Sequence, residues 1–347
     1  RHMPSSHTVN ELMTRDTRGV PLPRFSFPSA NHGHVGDSCP PSRFLSPSAI
    51  FVHIRTAYIG RMARRRIPTT APETAAGDPF EFITDERGGV TVMRDGHPQS
   101  HVHPDDPTLL EFEYVQHFAL VLDALTPPAP SLLGVTHVGG AGLTLARYVE
   151  ATRPGSPQIV LEPDVRLTDA VRRELPLPRT HRIRVRPADG ASGVVALKDD
   201  SADVIVLDAF ADGRVPAELV SPTFAADVAR VLKPGGVLMA NLADEPGFAW
   251  TSRAAATFTA VLPHAVIVGA HEVLKGKRFG NVVLTASADA SALDLDAVTR
   301  AAARAPLPTG VRRAAELARM LRAAAPFTDN DAARSPVPPQ LGAWRVR

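Results

Sequence analysis

Glycines and carboxylates stand at the ends of short apolar runs in this chain. Val135-Thr-His-Val138 leads into Gly139-Gly140-Ala141-Gly142, and Ile159-Val-Leu161 leads into Glu162. A glycine turn lets backbone amides approach a ligand closely, and an acid about 20 residues further on can hold the two hydroxyls of a ribose. The chemistry this spacing predicts is capture of a nucleoside. Asp189 and Gly190 follow the next run, where a carboxylate can accept from an adenine amino group or cap the following helix. Asp208 closes the run Asp203-Val-Ile-Val-Leu207. There it can hold a cationic amine and take the proton that the amine must lose before attacking an electrophilic carbon, or simply cap the loop that follows.

Other patterns carry less. A dinucleotide fingerprint requires Gly-x-Gly-x-x-Gly/Ala, but counting from Gly140 gives Gly142 and then Leu145, which disfavours a dehydrogenase. Val231-Leu-Lys-Pro-Gly-Gly-Val-Leu-Met239 is a helix end, a turn and a strand, with glycines needed for backbone geometry. His97, His101 and His103 have no acid or cysteine placed with them, so no metal centre is expected. Tyr114 and His117 share one face of a helix from which Gln116 is displaced, and packing accounts for most of that helix.

These residues need an α/β frame to meet. Strands are predicted at 132–138, 158–162, 182–187, 203–208 and 235–241, with helices near 142–152, 165–175, 218–232 and 249–261. Such alternation implies right-handed crossovers and a doubly wound, mainly parallel, Rossmann-like sheet. Residues 264–270 and 281–287 are predicted to pair antiparallel at one edge. Ahead of the core, 80–84 and 90–94 alternate around a Gly-containing turn and predict a small β-hairpin, and Leu109–Leu125 predicts a linking helix.

The expected organisation is a disordered extension over 1–75, a β-hairpin domain with its helix over 76–126, a core over 127–290, and a helical, partly disordered tail over 291–347. Arg1-His2-Met3 looks like a cloning scar, and Met62 is a plausible native start, so the residues upstream of it are expected not to be functional. Of 347 residues 44% are hydrophobic, enough for a sizeable core, and the net charge is +2. Arg61, Arg64, Arg65 and Arg66 read as a solvated tail rather than a nucleic-acid patch. The single cysteine, Cys39, excludes an intrachain disulfide framework and fits a reducing, cytoplasmic setting. No apolar run reaches the length of a membrane helix, and no membrane partner is expected.

With these parts in order, residues 80 to about 287 resemble the spermidine synthase family, a branch of the class I S-adenosylmethionine-dependent methyltransferase fold. Arg94-Asp-Gly-His-Pro-Gln99 is similar to the family's Asp-Gly-x-x-Gln turn, whose glutamine lies near the donor, and Tyr114-Val-Gln116 stands where the family has Tyr-His-Glu. Gly139-Gly140-Ala141-Gly142 resembles its Gly-Gly-Asp-Gly turn, Glu162 its ribose-binding acid, and Asp189, with Gly190, its adenine-site acid. Asp208 falls on the aspartate implied to activate the acceptor amine, and Phe210 and Asp212 in the loop after it on the acceptor side.

The resemblance implies S-adenosylmethionine or its decarboxylated form as co-substrate, no metal, a small amine acceptor and a homodimer assisted by the N-terminal β domain. The expected reaction is aminopropyl transfer. Two positions depart from the family: Ala141 replaces an aspartate that holds the donor's amino end, and Gln116 replaces an acid that helps a cationic acceptor. Methyl transfer to a small molecule is therefore the alternative, followed by a non-catalytic nucleoside-binding protein.

Overall fold

The computed structural model describes residues 79–339. The expected extension over 1–75, with Cys39, Met62 and the arginine cluster, lies outside the described residues, as does the end of the tail.

Three antiparallel strands come first: β1 (Phe80–Thr84), β2 (Val90–Arg94) and β3 (His97–Val102), side by side in that order. The first turn is held by Asp85, whose Oδ1 accepts from the amides of Arg87 at 2.7 Å and Gly89 at 2.9 Å. The predicted hairpin is thus present, enlarged by β3, where the sequence had shown only a turn. Helix α1 (Glu113–Asp123) follows and buries Val115, Phe118, Val121 and Leu122.

The core alternates as predicted: β4 (Val135–Val138), α2 (Thr144–Thr152), β5 (Gln158–Leu161), α3 (Val165–Glu174), β6 (Ile183–Arg186), α4 (Gly190–Val195), β7 (Ala202–Leu207), α5 (Pro222–Val231) and β8 (Leu232–Asp244). Strands β6, β5, β4, β7 and β8 pair in parallel. β4 is buried at every position, as both-sided cover by helices demands. α4 is short and begins at Asp189; its six residues leave no room for a helical period to show in the sequence.

After α6 (Ala249–Thr259), β9 (His264–Ala270), the single turn α7 (His271–Leu274) and β10 (Gly280–Ser287) complete most of the sheet. The predicted pair does form, but β10 lies inside, antiparallel to both β8 and β9. The edge belongs to β11 (Thr309–Arg312), which the tail supplies after α8 (Leu295–Arg304) and before α9 (Ala314–Leu321). Pro306 and Pro308 stop the Ala-rich helical pattern there, and four residues are too few to announce a strand. The sequence predicted fraying at Ser335–Pro339; instead Ser335 is fully buried (0% exposed). Prolines lack an amide donor but leave carbonyls and neighbouring side chains free to dock on a folded surface.

Strand alternation splits the core between the two faces of the sheet. Ile205, Leu207, Leu238, Leu242 and Val282 pack on the face covered by α5 and α6. Val204, Val206, Val237, Met239 and Val283 pack on the other, covered by α1 and α2.

Candidate functional site

The glycine turn after β4 is pressed against the end of β7. Gly139 has φ +98°, and a Cβ there would lie 2.2 Å from the carbonyl oxygen of Asp208, so only glycine fits. The amides of Gly140 and Ala141 both donate to Glu162 Oε2, at 3.0 and 3.2 Å, while Oε1 accepts from the Asp164 amide at 3.0 Å. Glu162 is 9% exposed. With one amide partner, Oε1 retains capacity for a hydroxyl. β3 leans on the same turn, since a Cβ on Gly142 would meet Ser100 Oγ at 2.6 Å. The Ser100 and Thr144 hydroxyls are 2.6 Å apart. Gln99, next to Ser100, donates its amide to the His97 carbonyl at 3.2 Å.

Asp189 caps α4. Its Oδ1 accepts from the Ser192 amide at 2.9 Å and its Oδ2 from the Ser192 hydroxyl, and these bonds hold its carboxyl below the usual value. Gly190 lets α4 approach β4, since a Cβ would meet Val138 Cγ1 at 2.5 Å. The capping role weighed from the sequence is what the geometry displays.

The second half of the site lies on one face of the sheet. Asp208 is two residues beyond Val206, Asn241 two beyond Met239, and Asn281 two before Val283, so all three side chains share the face that α1 covers. Asn281 Nδ2 donates to Asn241 Oδ1 at 2.9 Å, and Asn241 Nδ2 donates to Asp208 Oδ1 at 2.8 Å. From α1, Tyr114 lies beside the same carboxylate and helps to lower it. Burial pushes Asp208 up to about 6 against the lowering effect of its Asn241 and Tyr114 bonds. The tyrosine is in turn raised well above its ordinary value, by burial first and then by the carboxylate. The arrangement is a half-buried base, ionised at neutral pH, with Asn241 donating to it and Tyr114 beside it.

The other candidates settle differently. Gln116 turns away from Asp208 and donates to the Leu110 carbonyl at 2.7 Å. His117 contacts Thr309 Oγ1 at 3.3 Å, and burial lowers it to about 4. Phe210 is 37% exposed at the carboxyl end of β7. Asp212 and Gly213, with φ +54° and +71°, form a two-residue turn between Ala211 and Arg214, the geometry that Asp-Gly favours. That turn holds the Asp212 side chain 87% exposed and 3.4 Å from Arg334. His101 pairs with Asp85 and His103 with the Arg87 carbonyl. Among the described residues no three metal-ligating side chains cluster.

Sequence reasoning missed Asn241 and Asn281. The signal was available as lone amides in otherwise apolar strands, Leu238-Met-Ala-Asn241-Leu242 and Asn281-Val-Val283, since a buried polar side chain needs a partner. It also missed Arg278, whose Nη2 bridges both Glu113 oxygens at 2.8 and 3.0 Å and ties the first turn of α1 to the segment before β10.

The fold was compared with solved structures. A probable spermidine synthase from Corynebacterium glutamicum superimposes with a TM-score of 0.66 at 28% identity, covering 72% of this chain and 92% of that one. The chain is therefore similar over most of its length to that probable spermidine synthase. A spermidine synthase in complex with the transition state analogue AdoDATO gives 0.47 at 19% identity over 70% and 81% of the two chains. Human methyltransferase-like protein 13 in complex with SAH gives 0.44 at 21% over 62% and 95%. No family model and no curated protein sequence matches the chain. No helix of the described residues is long and apolar enough to cross a membrane.

Proposed function

We propose that this spermidine-synthase-like protein binds an adenosyl sulfonium, S-adenosylmethionine or its decarboxylated form, and transfers the aminopropyl group of the latter to a small amine. The observation that carries the reading is the backbone contact of Gly139 with Asp208, which sets the nucleoside turn beside a half-buried carboxylate that accepts from Asn241 and faces Tyr114.

In this reading the glycine turn takes the donor's main body, Glu162 Oε1 takes a ribose hydroxyl, and Asp208 binds the acceptor. The amine lone pair attacks the methylene carbon beside the sulfonium, and the carbon–sulfur bond breaks with its electrons passing to sulfur. Neutral methylthioadenosine leaves, Asp208 having first taken the proton that the acceptor ammonium must lose before its lone pair can attack, and the product carries the new charge as a secondary ammonium. The sulfonium is already reactive, so alignment supplies most of the acceleration. A base with a pKa of about 6 is ionised at pH 7 and still close enough to neutrality to exchange protons.

A second reading is favoured by Ala141, whose methyl group offers no carboxylate to the donor's amino end. In that case the donor is S-adenosylmethionine, the amine attacks its methyl carbon, and S-adenosylhomocysteine leaves. The lone cysteine supports a cytoplasmic setting for either reaction. Calorimetry with S-adenosylmethionine, decarboxylated S-adenosylmethionine, methylthioadenosine and S-adenosylhomocysteine tests both. Tightest binding of the decarboxylated donor and methylthioadenosine is expected; preference for the other pair would select methyl transfer, and no binding of any would overturn the enzyme reading.

A further inference from the structure

The loop that leaves Asp208 toward α5 has little to hold it by itself. Residues 209–216 contain one internal pair of backbone bonds, between Ala211 and Arg214 at 2.8 and 3.1 Å. Its outer half is fixed from about 120 residues downstream. The Val215 amide donates to Ser335 Oγ at 2.9 Å, and the Ser335 amide donates back to the Val215 carbonyl at 3.2 Å. The Arg214 guanidinium donates to the Ser335 carbonyl, and Arg334 pairs with Asp212 at 3.4 Å.

The segment that reaches in is itself anchored on α6. The Trp250 indole donates to the Ala333 carbonyl at 2.7 Å, and the Phe327 amide donates to Thr257 Oγ1 at 2.9 Å. Arg253 stacks 4.2 Å over the Phe327 ring and pairs with Asp331 at 2.7 Å. Phe327 and Ser335 are both buried. A surface tail does not bury a serine between two backbone bonds without ordering what it touches.

We infer that residues 325–338 form a strap that positions the acceptor side of the cleft. Arg334 and Ser335 are its positioning residues: they set the conformation of the 209–216 loop and draw the Asp212 carboxylate outward, leaving Asp208 as the acid this loop turns toward an acceptor. The effect on the loop stands on geometry alone, whereas its effect on the acceptor rests on the function proposed above.

Two variants of the full chain test this, Ser335→Ala, which removes the buried hydroxyl, and the more exposed Arg334→Ala, which removes the ion pair without opening a buried site. Hydrogen exchange is read at amides 209–216 and, for reference, at the glycine turn 139–143. Exchange in 209–216 is expected to rise about tenfold in Ser335→Ala and less in Arg334→Ala, with 139–143 unchanged. Methylthioadenosine affinity should stay within about twofold in both. With decarboxylated S-adenosylmethionine and putrescine as probes, KM for the amine should rise about threefold to tenfold while kcat changes by less than about twofold. Unchanged exchange at 209–216, or equal acceleration at 139–143, would overturn the strap. Absence of turnover with this donor and amine in the wild type counts against the proposed reaction instead, and the exchange result still decides the strap.

Discussion

Between Gly139 and Asp189 the cleft is made of main chain, whereas between Tyr114 and Asn281 it is made of side chains. On the donor side, backbone amides of Gly140 and Ala141 meet Glu162, and a helix N-terminus is capped by Asp189. These groups come from consecutive strand–helix units. On the proposed acceptor side, three side chains from α1, β8 and β10 gather around the Asp208 carboxylate at the end of β7. In the proposed reading the donor side is therefore a property of the fold, and the acceptor side a property of this particular chain. Binding of an adenosyl group is expected to survive changes that abolish use of the acceptor.

Substitutions can break that division or sharpen it. Gly139→Ala should break it, because the residue joins both sides: the new Cβ would fall 2.2 Å from the Asp208 carbonyl at a φ of +98°. A loss of about 2–4 kcal/mol in stability is expected from the combined overpacking and backbone strain, measured by urea unfolding. Glu162→Gln should sharpen it by weakening the donor side alone. Charge-assisted bonds contribute about 1.5–3 kcal/mol, so methylthioadenosine binding should fall about 10- to 100-fold in calorimetry, with no shift in the acidic limb of the rate profile.

The smallest of these effects is a shift in the pH profile. Asp208 must be ionised to take a proton, so kcat/KM should fall as pH drops through about 6. Asn241→Leu removes a donor that favours the ionised form, and the limb should move upward by roughly half to one pH unit. A limb that stays in place would mean that Asn241 acts on packing rather than on the carboxylate.

How much was legible in the sequence follows the same division. The glycine turn, Glu162, Asp189 and Asp208 stand at strand ends, and strand ends are marked by local pattern, so a single sequence displays them. Asn241 meets Asp208 because β8 lies beside β7, and Asn281 reaches Asn241 because β10 inserts between β8 and β9, an order that no local window contains. Gln116 and Asp212 show the converse. The motif position of each suggested a part in the acceptor site, yet Gln116 bonds to the Leu110 carbonyl and Asp212 sits at the tip of a tight turn facing Arg334. In the fold, β11 and the strap were hidden for a related reason: both take their conformation from surfaces they dock on rather than from propensity.

The most direct measurement uses Asp208→Asn with product analysis. The substitution removes a carboxyl raised from 3.8 to about 6. Such a group adds stability while protonated and loses it as pH rises through about 6, so the variant should be at least as stable as the wild type at pH 8. The account predicts that wild type releases methylthioadenosine from decarboxylated S-adenosylmethionine in the presence of an amine. The variant should release it about 10²- to 10⁴-fold more slowly while still binding methylthioadenosine. Release at an undiminished rate from a folded Asp208→Asn protein would contradict the account.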